Sequence, residues 1–478
     1  MKIGMLLIAV GVLLAAYGLL PHLAQVRMTT RGAEQPRVHI VGGVRLNREH
    51  WKLAVVLAVA LTIDVMKPAS IAFVMPGMAL EYGLSMSTVG YIALAALIGT
   101  AIGSLTWGRV ADIFGRRAAI LLSAILFMGT AICGTMPSFR WNVVMCFVMG
   151  AAAGGMLPVA VTLMAEAVPA RHRGWLLVAL GGVSASAGFL AASGAAALLE
   201  PKFSWRVLWL LNLPTGALIV VLNRFLPESP RFLARAGLRE QACGVLRRFA
   251  GSDTLMDVSC VHTETSGGQS RQIARCAVQR GQQTQITLAM LMCGLAWGLV
   301  NFGFVLWLPS SLQKFGFNTH AVSLLLAQSA LLAMPGVALV VWLYQRWSSF
   351  KSLVSFMMLT VTALLAFAVM EVGDIRTQTM VVVAVTLLLL AIGGVIATLI
   401  PYSAEIYAVQ SRGTGTGLVA AGSKAGGILG AMLGLAGLFD SFLWAALVIA
   451  VPMAIAGVLL WRSAVETSGY ELEDIWRC

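Results

Sequence analysis

From about residue 50 to residue 462 the chain is a succession of long apolar runs, each closed by a short polar or glycine-containing break. The runs cover 52–77, 87–107, 118–136, 142–165, 175–198, 205–226, 284–308, 320–342, 351–371, 378–401, 414–438 and 441–462. Each approaches or exceeds the roughly 20 residues a helix needs to cross about 30 Å of hydrocarbon. Lipid offers the backbone no hydrogen-bonding partner, so such runs are expected as helices. The pattern predicts an all-α membrane protein with 12 transmembrane helices. A further apolar run, 3–20, precedes them after Lys2. It reads as an uncleaved extra helix, because no small-x-small cleavage site follows and a basic segment does. A signal peptide, or a chain that starts at Met28, is the alternative. The longest polar stretch, 227–283, separates the sixth run from the seventh. The predicted organisation is an N-terminal segment (1–50), a six-helix bundle (51–226), a linker (227–283), a second six-helix bundle (284–464) and a tail (465–478).

The two bundles carry an internal repeat. "AEAVPARHRG" places Glu166 before Arg173-Gly174, and "AEIYAVQSRG" places Glu405 before Arg412-Gly413, 239 residues later. "PESPRFL" after the sixth run contains Glu228, and "VETSGYELED" after the twelfth contains Glu466, displaced by 238. Two independent pairs at nearly one offset indicate duplication of a six-helix unit, which makes the bundles pseudo-symmetric.

Composition narrows the class. With 59% hydrophobic residues and a mean hydropathy of +0.86, the chain is too apolar for a soluble globule of its size. The net charge of +13 could suggest nucleic acid, but its distribution follows topology. With residues 21–51 on the cytoplasmic side, that side collects 25 of the 33 lysines and arginines, the other side six, and two (Lys67 and Lys424) fall inside runs. This is a positive-inside signal, and it puts the linker and C-terminus in the cytoplasm of a multi-pass cell-membrane protein. The seven cysteines include no CxxC pair. Cys243, Cys260 and Cys276 share a polar stretch with His262, but the spacing fits no tight ligand set, so unpaired loop thiols are expected, with no metal and no cofactor.

Charge and glycine concentrate in "GRVADIFGRR" between the second and third runs, with Gly108, Asp112, Gly115, Arg116 and Arg117. This loop resembles the signature of the major facilitator superfamily, G-x-x-x-D-x-x-G-R-R/K, and the likeness extends over the chain from about residue 50 onward. "PESPRFL", "ETSGYELED" and the Glu-x6-Arg-Gly pair resemble the sugar porters and the related metabolite and aromatic-acid proton symporters. The resemblance implies a transporter that rocks two halves around a central site. It also implies a cytoplasmic gate in which Asp112 meets the positive N-terminus of helix eleven, "RGTGTG" after Arg412. Gly108 would let helix two pass close to a partner, and Gly115 would permit a tight reversal. Glu166 with Arg173, Glu405 with Arg412, and Glu228 with Arg231 complete the candidate gate network; ordinary positive-inside loop chemistry is the plainer reading. Ile113 stands where the family usually carries a basic residue, which thins the charge relay.

Charge inside the membrane costs several kcal/mol and is usually functional. Asp64 and Lys67 in the first run, "TIDVMKPAS", share a helix face, and Pro68 leaves the carbonyl of residue 64 without its donor. Lys424 lies in the eleventh run. Asp64 and Lys424 each lie 12 residues beyond a basic residue at the cytoplasmic edge (Lys52, Arg412), about 18 Å along a helix. Related proton symporters often carry an aspartate near this position. Asp64 is thus the candidate for proton coupling, or one partner of a permanent pair with Lys67. Two lysines against one aspartate favour an anionic substrate at Lys67 or Lys424; the alternative pairs Lys424 with Asp64 across the halves. The seventh run adds Trp297, Asn301 and Trp307 as ligand contacts, with a packed aromatic face as the alternative. It lacks the paired glutamines of hexose porters, which disfavours hexose, and the fifth run lacks the glycine–proline motif of drug antiporters. The expected function is proton-coupled uptake of a small organic acid or related metabolite by a monomer, partnered by substrate, protons and lipid but no nucleic acid. A proton-driven exporter and a non-transporting ligand sensor are the rivals, and no constellation indicates an enzyme.

Overall fold

The computed structural model describes residues 46–136, 138–250, 279–374, 377–407, 412–463 and Glu466. The extra N-terminal helix at 3–20, Cys260, Cys276, His262 and the tail beyond Glu466 lie outside the described residues, as does the side chain of Arg412. Among the described residues there is no strand, and twelve helices are long and apolar enough to cross a membrane. They are α1 (Arg48–Tyr82), α2 (Met86–Phe114), α3 (Arg116–Cys133), α4 (Phe139–Ala167), α5 (His172–Phe203) and α6 (Arg206–Phe225). After the linker come α7 (Thr284–Lys314), α8 (Thr319–Arg346), α9 (Ser349–Val372), α10 (Gln378–Ser403), α11 (Gly415–Leu435) and α12 (Phe442–Ser463). Each coincides with an apolar run, extended where polar ends and caps continue the helix. α1, for example, begins at Asn47, whose side chain accepts from the amides of Glu49 and His50, and ends at Gly83 in the left-handed conformation.

The packing repeats with a shift of six helices. In the first half α1 packs on α5, α2 on α4 and α3 on α6; in the second α7 packs on α11, α8 on α10 and α9 on α12. The halves meet through α2 against α11 and α5 against α8, contacts that a twofold rotation exchanges. Glycines carry the closest approaches. α7 and α11 touch backbone to backbone, and a Cβ on Gly298 would come 3.0 Å from the amide nitrogen of Gly427. Exposed tryptophans ring both ends of the barrel, Trp51, Trp342, Trp347 and Trp461 at one and Trp141 and Trp444 at the other, the placement expected at membrane–water interfaces.

One face of the protein carries the 108–117 loop and is called the basic face. There the linker continues as two helices, Pro230–Arg235 and Arg239–Ala250. The second docks on the start of α1, where the Asn47 amide donates to the carbonyls of Arg248 (3.1 Å) and Phe249 (2.9 Å). Asn47 therefore caps one helix at its start and another at its end. Cys243 on this docked helix is disulfide-bonded, which corrects the expectation of a free thiol there.

Candidate functional site

Among the described residues, three charged side chains lie near the middle of membrane-spanning helices, Asp64, Lys67 and Lys424. Asp64 and Lys67 sit near the centre of α1, one turn apart, with the ammonium 3.5 Å from the carboxylate. Lys67 is 1% exposed and its ammonium stands 3.5 Å from the centroid of the Phe127 ring of α3. It therefore points into its own bundle, where the aspartate and a π-face share its charge. Asp64 keeps slight exposure at 8% and interacts electrostatically with Lys424 of α11, across the interface between the halves. Lys424 is half-buried, and its ammonium lies 5.3 Å from the centroid of the Phe302 ring. Asp64 and Lys424 thus interact electrostatically from opposite halves, while Lys67 pairs with Asp64 on the same helix.

The neighbouring part of α7 is not a regular helix. Leu299–Phe304 forms a π-turn, a local irregularity that frequently marks functional sites. It carries Asn301, which is half-buried, and Phe302. Trp297, one turn earlier, is fixed by its indole N–H donating to the Ile392 carbonyl at 3.0 Å. Its ring meets Phe302 edge-on, with centroids 5.7 Å apart and an interplanar angle of 84°.

Trp307 lies elsewhere. It is buried, stacks on Phe439 at 5.7 Å, and fills the space left by Gly90 at the start of α2 and Gly434 near the end of α11. Ten residues of α11 separate Gly434 from Lys424, roughly 15 Å along a helix. In this structure Trp307 is part of a seal at the face opposite the basic one. Leu97 of α2 with Phe302 and Ala431 forms the next apolar layer inward. The α2–α11 contacts described by these residues belong to the halves of both helices away from the basic face.

On the basic face the loop reverses at Gly115, whose φ is +98°, a backbone region that favours glycine. A Cβ there would also come 2.8 Å from the carboxyl carbon of Glu228. Glu228 caps α3: its carboxylate accepts from the amides of Arg116 (2.8 Å) and Arg117 (3.3 Å) and from that of Ser229 (2.9 Å). Burial holds the Glu228 carboxyl above the ordinary value of 4.5, against the opposing pull of those amides and of Arg116. The buried Arg116 guanidinium pairs with Glu166 and with Asp112, each at 3.4 Å, and the Ser229 hydroxyl bonds Glu166.

Several expectations change here. Asp112 is 69% exposed and pairs with Arg116 across the Gly115 reversal; the side chains at the start of α11, residues 412–414, lie outside the described residues. Gly108 faces open space, since a Cβ there would meet nothing within 4 Å. Arg231 is exposed, and Glu228 is engaged instead by the amides that begin α3. Glu166 is engaged by Arg116 and Ser229. Arg173 is half-buried, and its neighbour Gly174 abuts Glu405 of the other half, 3.2 Å from a Cβ position to the carboxylate. Glu405 accepts from the Tyr344 hydroxyl at 2.8 Å. A surface cleft of about 580 Å³ lined by His172, Trp175, Val341 and Gln345 lies between α5 and α8. Phe127, Phe302, Ser229 and Tyr344 went unnoticed in the sequence. For Ser229 a signal existed, since Ser-Pro is a helix start; the others are apolar or aromatic residues among many.

The family model described as Major Facilitator Superfamily matches residues 53–399. The chain is similar to the niacin transporter NiaP of Acinetobacter baylyi, 26% identical over 445 residues, covering 90% of this chain and 97% of that one. It is 25% identical over 435 residues to the 4-hydroxybenzoate transporter PcaK of the same organism, covering 88% and 93% respectively. Among solved structures, the partially occluded inward-open xylose transporter XylE from E. coli superposes with a TM-score of 0.71 at 16% identity, over 89% of this chain and 100% of that one. XylE bound to 6-bromo-6-deoxy-D-glucose does so with 0.70 at 18%, over 90% and 99%. Twelve membrane helices with a repeated packing scheme, a buried charged site between the halves and this family match lead to one assignment: the chain is a multi-pass membrane transporter, not an enzyme, and belongs to the major facilitator superfamily.

Proposed function

We propose that this protein takes a small organic carboxylate into the cell together with a proton, by alternating access. The observation that carries the reading is the electrostatic interaction of Asp64 with Lys424, one charge from each half near the middle of its helix. Similarity to transporters of niacin and 4-hydroxybenzoate supports an aromatic or related monocarboxylate as cargo. The ionised Asp64 competes with the substrate carboxylate for the Lys424 ammonium. A proton on Asp64 removes that competition, so proton and anion bind together more readily than either alone, which is the linkage a symporter needs. Lys67, under Phe127, offsets the charge of Asp64 within its own bundle and makes no substrate contact. The basic face is the cytoplasmic one, with the linker and C-terminus on that side, and bundles 51–226 and 284–464 rock as units in a monomer. The seal at Trp307 then closes the outer face.

The test is uptake by proteoliposomes under an imposed pH gradient. Asp64→Asn is expected to abolish pH-driven accumulation while sparing substrate exchange, and to bind carboxylate without the wild type's gain in affinity at low pH. Lys424→Gln is expected to weaken carboxylates more than neutral analogues. Undiminished proton-driven uptake by Asp64→Asn removes Asp64 from the mechanism. Flux against the expected direction identifies an exporter, and binding without flux a sensor.

A further inference from the structure

We infer that Phe302 is the specificity-determining residue of the site and selects carboxylates that carry a planar ring. The inference rests on the anion site proposed at Lys424. Three independent features put this ring beside that ammonium. The π-turn Leu299–Phe304 alters the helical phase of α7 where Phe302 sits. The ring lies 5.3 Å from the Lys424 ammonium, within cation–π range. Its seat is cut into α11 by Gly427, one turn from Lys424, where a Cβ would come 2.9 Å from the ring edge of Phe302.

The second ring of the site is equally fixed. Trp297 is tied to the Ile392 carbonyl and stands at 84° to Phe302. The two rings make a right-angled aromatic corner next to a half-buried cation. A carboxylate drawn to Lys424 brings whatever it is attached to into that corner. A planar ring can lie offset-stacked on one wall and edge-on to the other, the two geometries aromatic pairs prefer. A saturated ring of the same size and charge has only its area to offer. Leu97 of α2 and Ala431 of α11 pack with Phe302, so the ring has support from both halves when it receives a ligand.

The experiment measures competition for benzoate binding by unlabelled benzoate and by cyclohexanecarboxylate, using the full-length protein in proteoliposomes. The two probes share charge and ring size and differ in planarity and π-system. The wild type is expected to prefer benzoate by about threefold to tenfold. Phe302→Leu, which keeps an apolar contact with Leu97 and Ala431, is expected to bring that ratio close to one; Phe302→Tyr is expected to retain it. Gly427→Ala, which pushes the ring from its seat, is expected to lower the ratio as well and serves if Phe302→Leu does not fold. An unchanged ratio in Phe302→Leu or Gly427→Ala, or no preference in the wild type, overturns the inference and makes Phe302 a packing residue of the seal. If the wild type binds neither probe, or Lys424→Gln binds both as well as the wild type, the anion site itself is wrong and this inference falls with it.

Discussion

The two halves fasten their basic-face ends with the same pair of acids and different partners. In the first half Glu228, after the sixth helix, accepts the amides that begin α3. In the second Glu466, after the twelfth, accepts the amide of Ser349 that begins α9, at 3.1 Å. Glu166 and Glu405 end the fourth helix of each half, and each is held by a residue near the junction between its half's second and third helices. The described contacts of the two clasps differ. The first clasp encloses a buried guanidinium, Arg116, and turns on a left-handed glycine. The second replaces Gly115 by Ser348, with φ −169°, and uses hydroxyls, Tyr344 on Glu405 and Ser348 on Glu466. Glu228 and Glu466 both accept amides at a helix N-terminus, which needs an acceptor in either half.

The comparison predicts unequal damage. Arg116→Met leaves Glu166, only 9% exposed, without its cation in a buried setting, a loss of about 3–5 kcal/mol by analogy with broken buried pairs. Tyr344→Phe removes one hydroxyl from Glu405 and is expected to cost about 1.5–3 kcal/mol. Thermal midpoints of the purified variants in detergent decide it; equal shifts would refute a larger role for the Arg116 guanidinium than for the Tyr344 hydroxyl. Next in size is Gly115→Ala. Left-handed backbone costs a non-glycine residue about 1–2 kcal/mol, and the new methyl group also displaces the Glu228 carboxylate. Ser348→Ala loses a helix cap in an extended conformation that any residue adopts, about 1 kcal/mol. A Ser348→Ala variant less stable than Gly115→Ala would show that the first clasp has slack.

These pairs also show where sequence reasoning reaches its limit. Glu166, Glu405, Glu228 and Glu466 were legible because the repeat exposed them twice, at offsets of 239 and 238 residues. The helices were legible because lipid permits few alternatives for a long apolar run. The partners of the acids were not. Local spacing suggested Arg231 for Glu228, whereas the fold brings in the amides that begin α3; for Glu166 it adds Arg116 and Ser229 from distant positions. Asp64, Lys67 and Lys424 stood out because charge is rare in an apolar run, but nothing in the sequence orders their contacts. Phe302 is one of 19 phenylalanines. Its significance comes from a π-turn and from the glycine opposite it, neither of which periodicity encodes.

The smallest expected effect concerns pH and the Glu228 carboxyl. Its pKa lies above the ordinary 4.5 in the folded protein because burial outweighs the amides that stabilise the anion. The folded state therefore holds the proton more tightly than the unfolded chain, and the sign follows from linkage. The contribution of the carboxyl to stability is greatest below its unfolded value, about 4.3. It declines as pH rises through the folded one. Glu228→Gln keeps an acceptor for the α3 amides but cannot titrate. Wild type is therefore expected to gain on Glu228→Gln as pH falls from 7 toward 4.5, read as the difference between their thermal midpoints at each pH. If the difference instead shrinks in that interval, the amides and Arg116 dominate, and the first clasp is held by an anion that is comfortable where it is buried.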